Sequence, residues 1–252
     1  MIETGQLLFE KRESGGGASR GSVAHITFNR PEARNAMTWE MYEALHECCE
    51  EIDRDNEVRV AVLRGAGGKA FVAGTDIKQF REFESGEDGI EYEKRMERIT
   101  SRLEEVKKPT VAVIDGFAIG GGLSISAACD LRICTPDAKF GAPIARTLGN
   151  CLSVKNHARL MALLGPARTK QLIYMAKLFS AEEALAAGLA AEVVPAEALD
   201  ERVAEVCETL ISHAPLTMRA TKEMLRRLTF AGMPDAEDLV RETYGSEDFH
   251  EG

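Results

Sequence analysis

Two glycine-bearing segments, Phe71-Val-Ala-Gly-Thr-Asp-Ile-Lys-Gln-Phe80 and Ile114-Asp-Gly-Phe-Ala-Ile-Gly-Gly-Gly-Leu123, hold residue types from which backbone catalysis can be built. Each brings a strand to a glycine turn, and the second runs on into a helix whose first amides have no intrahelical acceptor. Glycine lets a ligand or a second backbone approach such amides closely. Two turns of this kind facing each other present a pair of N–H donors to one oxygen atom, the layout of an oxyanion hole. Taken singly, each is equally readable as a tight turn at a strand end. A third glycine run, Gly65-Ala-Gly-Gly-Lys-Ala70, fits the loose dinucleotide pattern but is followed by Phe71-Val-Ala-Gly74, which is a poor helix start. A pyrophosphate would find no helix N-terminus there. A phosphate-binding P-loop fails as well, because Leu63 and Ala70 stand where glycine and Ser/Thr are needed.

With Asn29-Arg-Pro-Glu-Ala-Arg-Asn-Ala-Met37 upstream, the two turns form an ordered set together with Ala73–Lys78, Gly120-Gly-Gly122, Ala128-Cys-Asp130, Gly165-Pro-Ala-Arg168 and Ala184–Leu189. In this order and spacing the chain resembles the crotonase (enoyl-CoA hydratase/isomerase) superfamily from about residue 5 to residue 230. The resemblance implies an α/β fold, a spiral of ββα units with a helical C-terminal region used in trimer formation, often as a dimer of trimers. It also implies an acyl-CoA substrate, with no cofactor beyond the CoA moiety. Thr75 and Gly121 match the positions whose backbone amides bind the thioester oxygen. Ala73, Asp76 and Ile77 fall in the loop beside the adenine and pantetheine. Arg34 matches a position near the CoA phosphates, with Arg30 as a second candidate, and Lys222 is placed to reach an adenine or phosphate, across a subunit boundary if need be. An acidic protein holds an anionic ligand with local basic groups such as Arg34, Lys78 or Lys222, and arginine's planar fork suits phosphate.

The chain departs from the resemblance at the acid–base positions. Where hydratases of the superfamily carry two glutamates, this chain has Ser124 and Ile144. Hydration of an enoyl thioester needs a base for water and an acid for the α-carbon, and neither residue type is an evident base. Candidate replacements are Ser124 itself, Arg146, Thr147 or Asn150 in a loop one residue longer than the family's usual one, the acids Glu82, Glu84, Glu87 and Asp88, and His157. The expected activity is therefore that of an enoyl-CoA hydratase-like lyase stabilising a thioester enolate. The alternatives are an acyl-CoA decarboxylase, with Arg146 holding the departing carboxylate, a non-catalytic CoA-thioester binder, or a multi-helix interaction protein.

The elements that would position these residues can be read from periodicity. Strands are expected at Leu7–Phe9, Val23–Phe28, Arg59–Arg64, Thr110–Ile114, Leu131–Cys134 and Ala191–Val194. Helices are expected after an N-cap at Thr38, over about 89–106, at Gly121–Ala128 and through most of the chain beyond 153, including 197–212 and 216–229. One domain spans 1–252, with a spiral α/β core over 1–195 and a helical portion over 196–252. The 252 residues are 44% apolar and 29% charged, as in a globular protein rather than a disordered one. A net charge of −10 argues against a dedicated nucleic-acid binder, and no apolar run is long enough to span a membrane. Six cysteines without metal-binding spacing read as reduced thiols, and the N-terminus does not resemble a signal peptide, so a cytoplasmic location is expected.

Overall fold

The computed structural model describes residues 5–14, 21–81 and 83–251. Gly15–Gly17, and Glu82 among the candidate acids, lie outside the described residues. Strand β1 (Leu7–Ser14) pairs antiparallel with β2 (Gly21–Phe28), with Leu7 opposite Phe28. Helix α1 (Trp39–Arg54) begins where the Thr38 hydroxyl accepts the Met41 amide, and it buries Met41, Tyr42, Leu45, Cys48, Cys49 and Ile52 on one face.

The chain then makes the same excursion three times: a strand in a large sheet, a turn, a three-residue strand in a second sheet, and a helix. β3 (Val58–Gly65) leads to β4 (Ala70–Val72) and α2 (Gly86–Glu104). β5 (Thr110–Ile114) leads to β6 (Phe117–Ile119) and α3 (Gly121–Ala128). β7 (Leu131–Cys134) leads to β8 (Lys139–Gly141) and the one-turn α4 (Ile144–Thr147). This is the spiral of ββα units. Beyond it come α5 (Val154–Tyr174), kinked where Gly165 takes φ 72° ahead of Pro166, then β9 (Phe179–Ser180), α6 (Ala181–Ala187) and β10 (Glu192–Val193). Four helices close the chain: α7 (Leu199–Ser212), α8 (Pro215–Phe230), α9 (Glu237–Tyr244) and α10 (Glu247–Glu251).

The large sheet has the order β1-β2-β3-β5-β7-β10, parallel from β2 onward, and the small one has the order β4-β6-β8-β9. Strand residues alternate between faces. Val23, Val60, Val62, Val111 and Val113 therefore pack on α7, while Ala24, Ile26, Phe28, Leu63 and Ile114 join the core that holds the buried faces of α1, α2 and α3. Both faces are covered, as a mostly parallel sheet requires.

Helix α2 starts three residues earlier than its periodicity indicates, because Asp88 accepts the backbone amides of Glu84 and Ser85 and so caps it. Strands β4, β6 and β8 were not expected; three residues are too few to show alternation. Helices α9 and α10 fall within the helical portion expected over 196–252, although periodicity gives them no individual bounds. All six cysteines are free, five of them buried. No helix among the described residues is long and apolar enough to cross a membrane, and no cluster of metal-ligating side chains is present among them.

Candidate functional site

Because β4, β6 and β8 lie parallel and adjacent, the segments leaving their C-terminal ends emerge together: Ala73–Asp76, then Gly120–Gly121, then the Pro143–Ile144 turn. The Gly120 amide donates to the Gly141 carbonyl at 2.8 Å, tying the second to the third. Gly74 (φ 121°) and Gly120 (φ 52°) adopt backbone angles that side chains resist. Met37 clamps the first segment by accepting the Asp76 amide and donating to the Gly74 carbonyl, both at 2.9 Å. That clamp skips Thr75. Among the described residues neither the Thr75 amide nor the Gly121 amide meets a protein acceptor. A β-carbon on Gly121 would lie 3.7 Å from the Thr75 nitrogen, so the two donors are neighbours.

Two tyrosines that sequence reading passed over complete this corner. The Thr75 hydroxyl lies 2.9 Å from the Tyr42 hydroxyl and 2.9 Å from that of Tyr92. Burial raises both phenols well above tyrosine's ordinary pKa, so at neutral pH they are proton donors and not bases. Both had a legible signal. Tyr42 follows Met41 on the buried stripe of α1, and Tyr92 sits one turn before Met96 on the stripe Met96, Ile99, Leu103.

The loop expected beside CoA is held by its own network. Buried Asn35 donates to the Ala66 and Ala70 carbonyls (3.0 and 2.7 Å) and accepts the Arg30 amide, locking the Asn-Arg-Pro loop onto the β3–β4 turn. The Ala73 amide donates to the Arg34 carbonyl at 3.1 Å. Arg34 is exposed, stacks over Phe117 at 5.6 Å, and has no ion pair among the described residues, which leaves its fork open to a phosphate. Ile77 and Lys78 are exposed on the same loop.

Three other candidates are engaged in ion pairs within the chain. Arg30 is not free: it pairs with Asp76 at 2.8 Å. Burial pushes the Asp76 carboxyl up, but the Lys78 amide and the Arg30 guanidinium outweigh it and hold it below the usual carboxylate range. The Asp76 side chain therefore shapes the loop. Lys222 pairs with Asp130 at 2.8 Å, and Asp130 also accepts the Thr110 amide at the start of β5. Lys222 thus lies at the starts of β5 and β7 in the large sheet.

The family model described as Enoyl-CoA hydratase/isomerase matches residues 18–244. The chain belongs to this family. It is 37% identical to a short-chain-enoyl-CoA hydratase of Clostridium acetobutylicum over 82% of this chain and 78% of that protein. It is 33% identical to a carnitinyl-CoA dehydratase of Salmonella typhi, covering 82% and 77%. A crystal structure of an enoyl-CoA hydratase/isomerase from Xanthobacter autotrophicus Py2 superposes with a TM-score of 0.83 at 27% identity, covering 98% of this chain and 90% of that one.

Of the expected replacement groups in this hydratase/isomerase-family chain, Ser124 is hydrogen-bonded to a glycine turn, and Thr147, Asn150, Glu87, Asp88 and His157 bond elsewhere among the described residues. Ser124, in the first turn of α3, turns its hydroxyl back to the Gly120 carbonyl at 3.4 Å, and Ile144 is buried. Arg146 is exposed, with no ion pair among the described residues. Thr147 bonds the Pro143 carbonyl, and Asn150 donates to the Tyr244 hydroxyl at 3.1 Å, so this loop receives the C-terminal helices. Glu87 pairs with Arg241, and Asp88 caps α2. His157 bonds the Ser153 carbonyl of its own helix turn.

The unusual carboxyl is Glu93, one residue from Tyr92 and fully buried. It accepts the Tyr244 hydroxyl at 2.8 Å. Burial raises its pKa to about 8, against the lowering effect of Tyr244 and the Ser153 amide and with the help of the Glu97 charge. A carboxyl raised in the folded state contributes stability that is complete below its unfolded pKa and is lost as pH rises through the folded one. Between the ordinary carboxyl range and pH about 8 the native protein should therefore lose stability as pH rises. Glu93→Gln should flatten that slope and be the more stable protein in mildly alkaline buffer. Denaturant unfolding across pH checks this; parallel profiles for the two proteins would contradict it.

Proposed function

We propose that the chain binds an acyl-CoA thioester with its carbonyl oxygen between the Thr75 and Gly121 amides, and stabilises the enolate of that thioester. The observation that carries the reading is the pair of adjacent amides left without a protein acceptor at the ends of β4 and β6. Each donor in such a hole is worth about 3 kcal/mol of transition-state stabilisation. Arg34 and Lys78 would meet the CoA phosphates, and Ala73 and Ile77 would flank the rest of the cofactor moiety. The apolar residues exposed along α8, including Leu216, Met224, Leu225 and Leu228, support the expected homotrimer or dimer of trimers.

A second reading concerns how the enolate arises. Around Thr75 the hydrogen-bonding side chains are hydroxyls that hold their protons, and no described carboxylate bonds to them. That favours a reaction needing no base. In decarboxylation of a malonyl-type thioester the Cα–carboxylate bond breaks, CO2 leaves, and the electron pair enters an enolate held by the two amides. The α-carbon then takes a proton from water. The exposed Arg146 has no part in this version.

Crotonyl-CoA hydration, followed by loss of the conjugated thioester absorbance, and CO2 release from malonyl-CoA separate the possibilities. The expected result is no hydration at a hydratase-like rate, with CO2 release if decarboxylation is the reaction. Rapid hydration would show that another group replaces the glutamates. Binding without either turnover would favour the non-catalytic binder.

A further inference from the structure

Helices α9 and α10 sit in a seat made for them. A β-carbon on Gly89 would lie 2.1 Å from the Tyr244 ring, one on Gly86 would lie 2.2 Å from the Arg241 carbonyl, and one on Gly149 would lie 2.8 Å from the Asp248 carbonyl. Three positions from two separate segments thus lack side chains where the C-terminal helices lie. Ion pairs from Arg241 to Glu87 and from Glu237 to Lys94 (2.9 Å), with the Tyr244–Glu93 hydrogen bond, hold the helices there. In consequence Tyr244 is 0% and Phe249 7% exposed, although both belong to the last ten residues.

This seat reaches the hole through an unbroken run of rings. Tyr92, hydrogen-bonded to Thr75, packs on Phe80 with centroids 4.9 Å apart and on Tyr244 at 6.1 Å. Phe249 closes the run against Tyr244 at 4.8 Å, Phe83 at 6.1 Å and Phe80 at 6.2 Å. Beside it lies a cavity of 280 Å³ bounded by Ile77, Phe80, Arg81, Phe83, Leu148, Phe249 and His250. Ile77 and Phe80 follow Thr75 by two and five residues, so the cavity opens beside the loop that carries one of the two amides. The family match ends at residue 244, which leaves Phe249 and His250 outside it.

The geometry points to Phe249 as the end wall of the acyl chamber, making helix α10 the determinant of acyl length and limiting the substrate to short acyl groups. This rests on the proposed thioester site and adds the substrate class to it. Burying a longer chain would require displacing Phe249 from its ring contacts, and with it the seated helix.

The test is titration of the wild type, Phe249→Ala and Phe249→Trp with CoA, butyryl-CoA and octanoyl-CoA, with a thermal melt of each protein. The wild type should prefer butyryl- over octanoyl-CoA. Phe249→Ala should bind octanoyl-CoA about tenfold tighter than the wild type does, with CoA itself unchanged. Phe249→Trp, which keeps a ring in the seat, should weaken butyryl-CoA while leaving CoA unchanged. An octanoyl-to-butyryl ratio that is the same in all three proteins, with CoA still bound, overturns the role of Phe249 and leaves the thioester site standing. Failure of the wild type to bind CoA or either thioester overturns the site and this inference with it.

Discussion

Gly121→Ala lowers turnover of a CoA thioester by about 10²–10³-fold, the expected cost of losing one donor of an oxyanion hole. The new methyl group would lie 2.4 Å from the Tyr42 hydroxyl, which cannot swing aside because Tyr42 is fully buried and its oxygen is bonded to Thr75. Either the start of α3 moves, carrying the Gly121 amide with it, or Tyr42 shifts and pulls on Thr75. Both outcomes misplace a donor. Removing the opposing oxygen relieves the clash, so Gly121→Ala/Tyr42→Phe should recover part of the loss. Steady-state rates for the four members of this cycle test it, with a thermal melt to confirm folding. Additive losses, without recovery in the double variant, would mean that Tyr42 does not confront Gly121.

Arg159→Met has the largest expected effect on stability, about 3–5 kcal/mol at neutral pH. The Arg159 side chain, only 2% exposed, bonds Glu97 at 2.7 Å and Glu104 at 3.0 Å and so joins α5 to α2, the helix that carries Tyr92. Burial pushes the Glu97 carboxyl up, but Arg159 outweighs it; burial prevails at Glu104 and raises it. Without Arg159 two carboxylates stay buried side by side and both pKa values rise. Their neutral forms are then the ones the fold tolerates, so the loss should shrink as pH is lowered. Denaturant unfolding at neutral and mildly acidic pH measures this. A pH-independent loss below about 1 kcal/mol would show the pair to be no stronger than a surface bridge.

Where the sequence was informative, a local rule and a tertiary need agreed. Thr38 caps α1, Ser180 and Glu183 form a reciprocal capping box, and Gly188 ends α6 in the left-handed region. Each of these devices acts within four residues. The valines of β3 and β5 read as strands because both faces of the sheet are buried. The two glycine turns were legible as donors, and their meeting was implied by the family resemblance. What local spacing does not record is which partner a side chain takes. Arg30 could have served a phosphate but was claimed by Asp76, and Lys222 by Asp130. The Ala145–Asn150 loop offered Arg146, Thr147 and Asn150 as groups for the site, whereas Asn150 and Gly149 receive a segment about a hundred residues later. That segment was expected only as part of a helical portion, because α9 and α10 span eight and five residues, too few for a helical stripe to fix their bounds.

The central claim is that the Thr75 and Gly121 amides grip a thioester oxygen. Its most direct test is the infrared stretch of an isotope-labelled carbonyl in a bound, unreactive acyl-CoA. Two converging N–H donors polarise the bond, so the band should fall to lower frequency on binding the wild type and return toward its solution value in Gly121→Ala. A band that stays at its solution position in the bound wild-type protein would show that the oxygen lies elsewhere and would contradict the account.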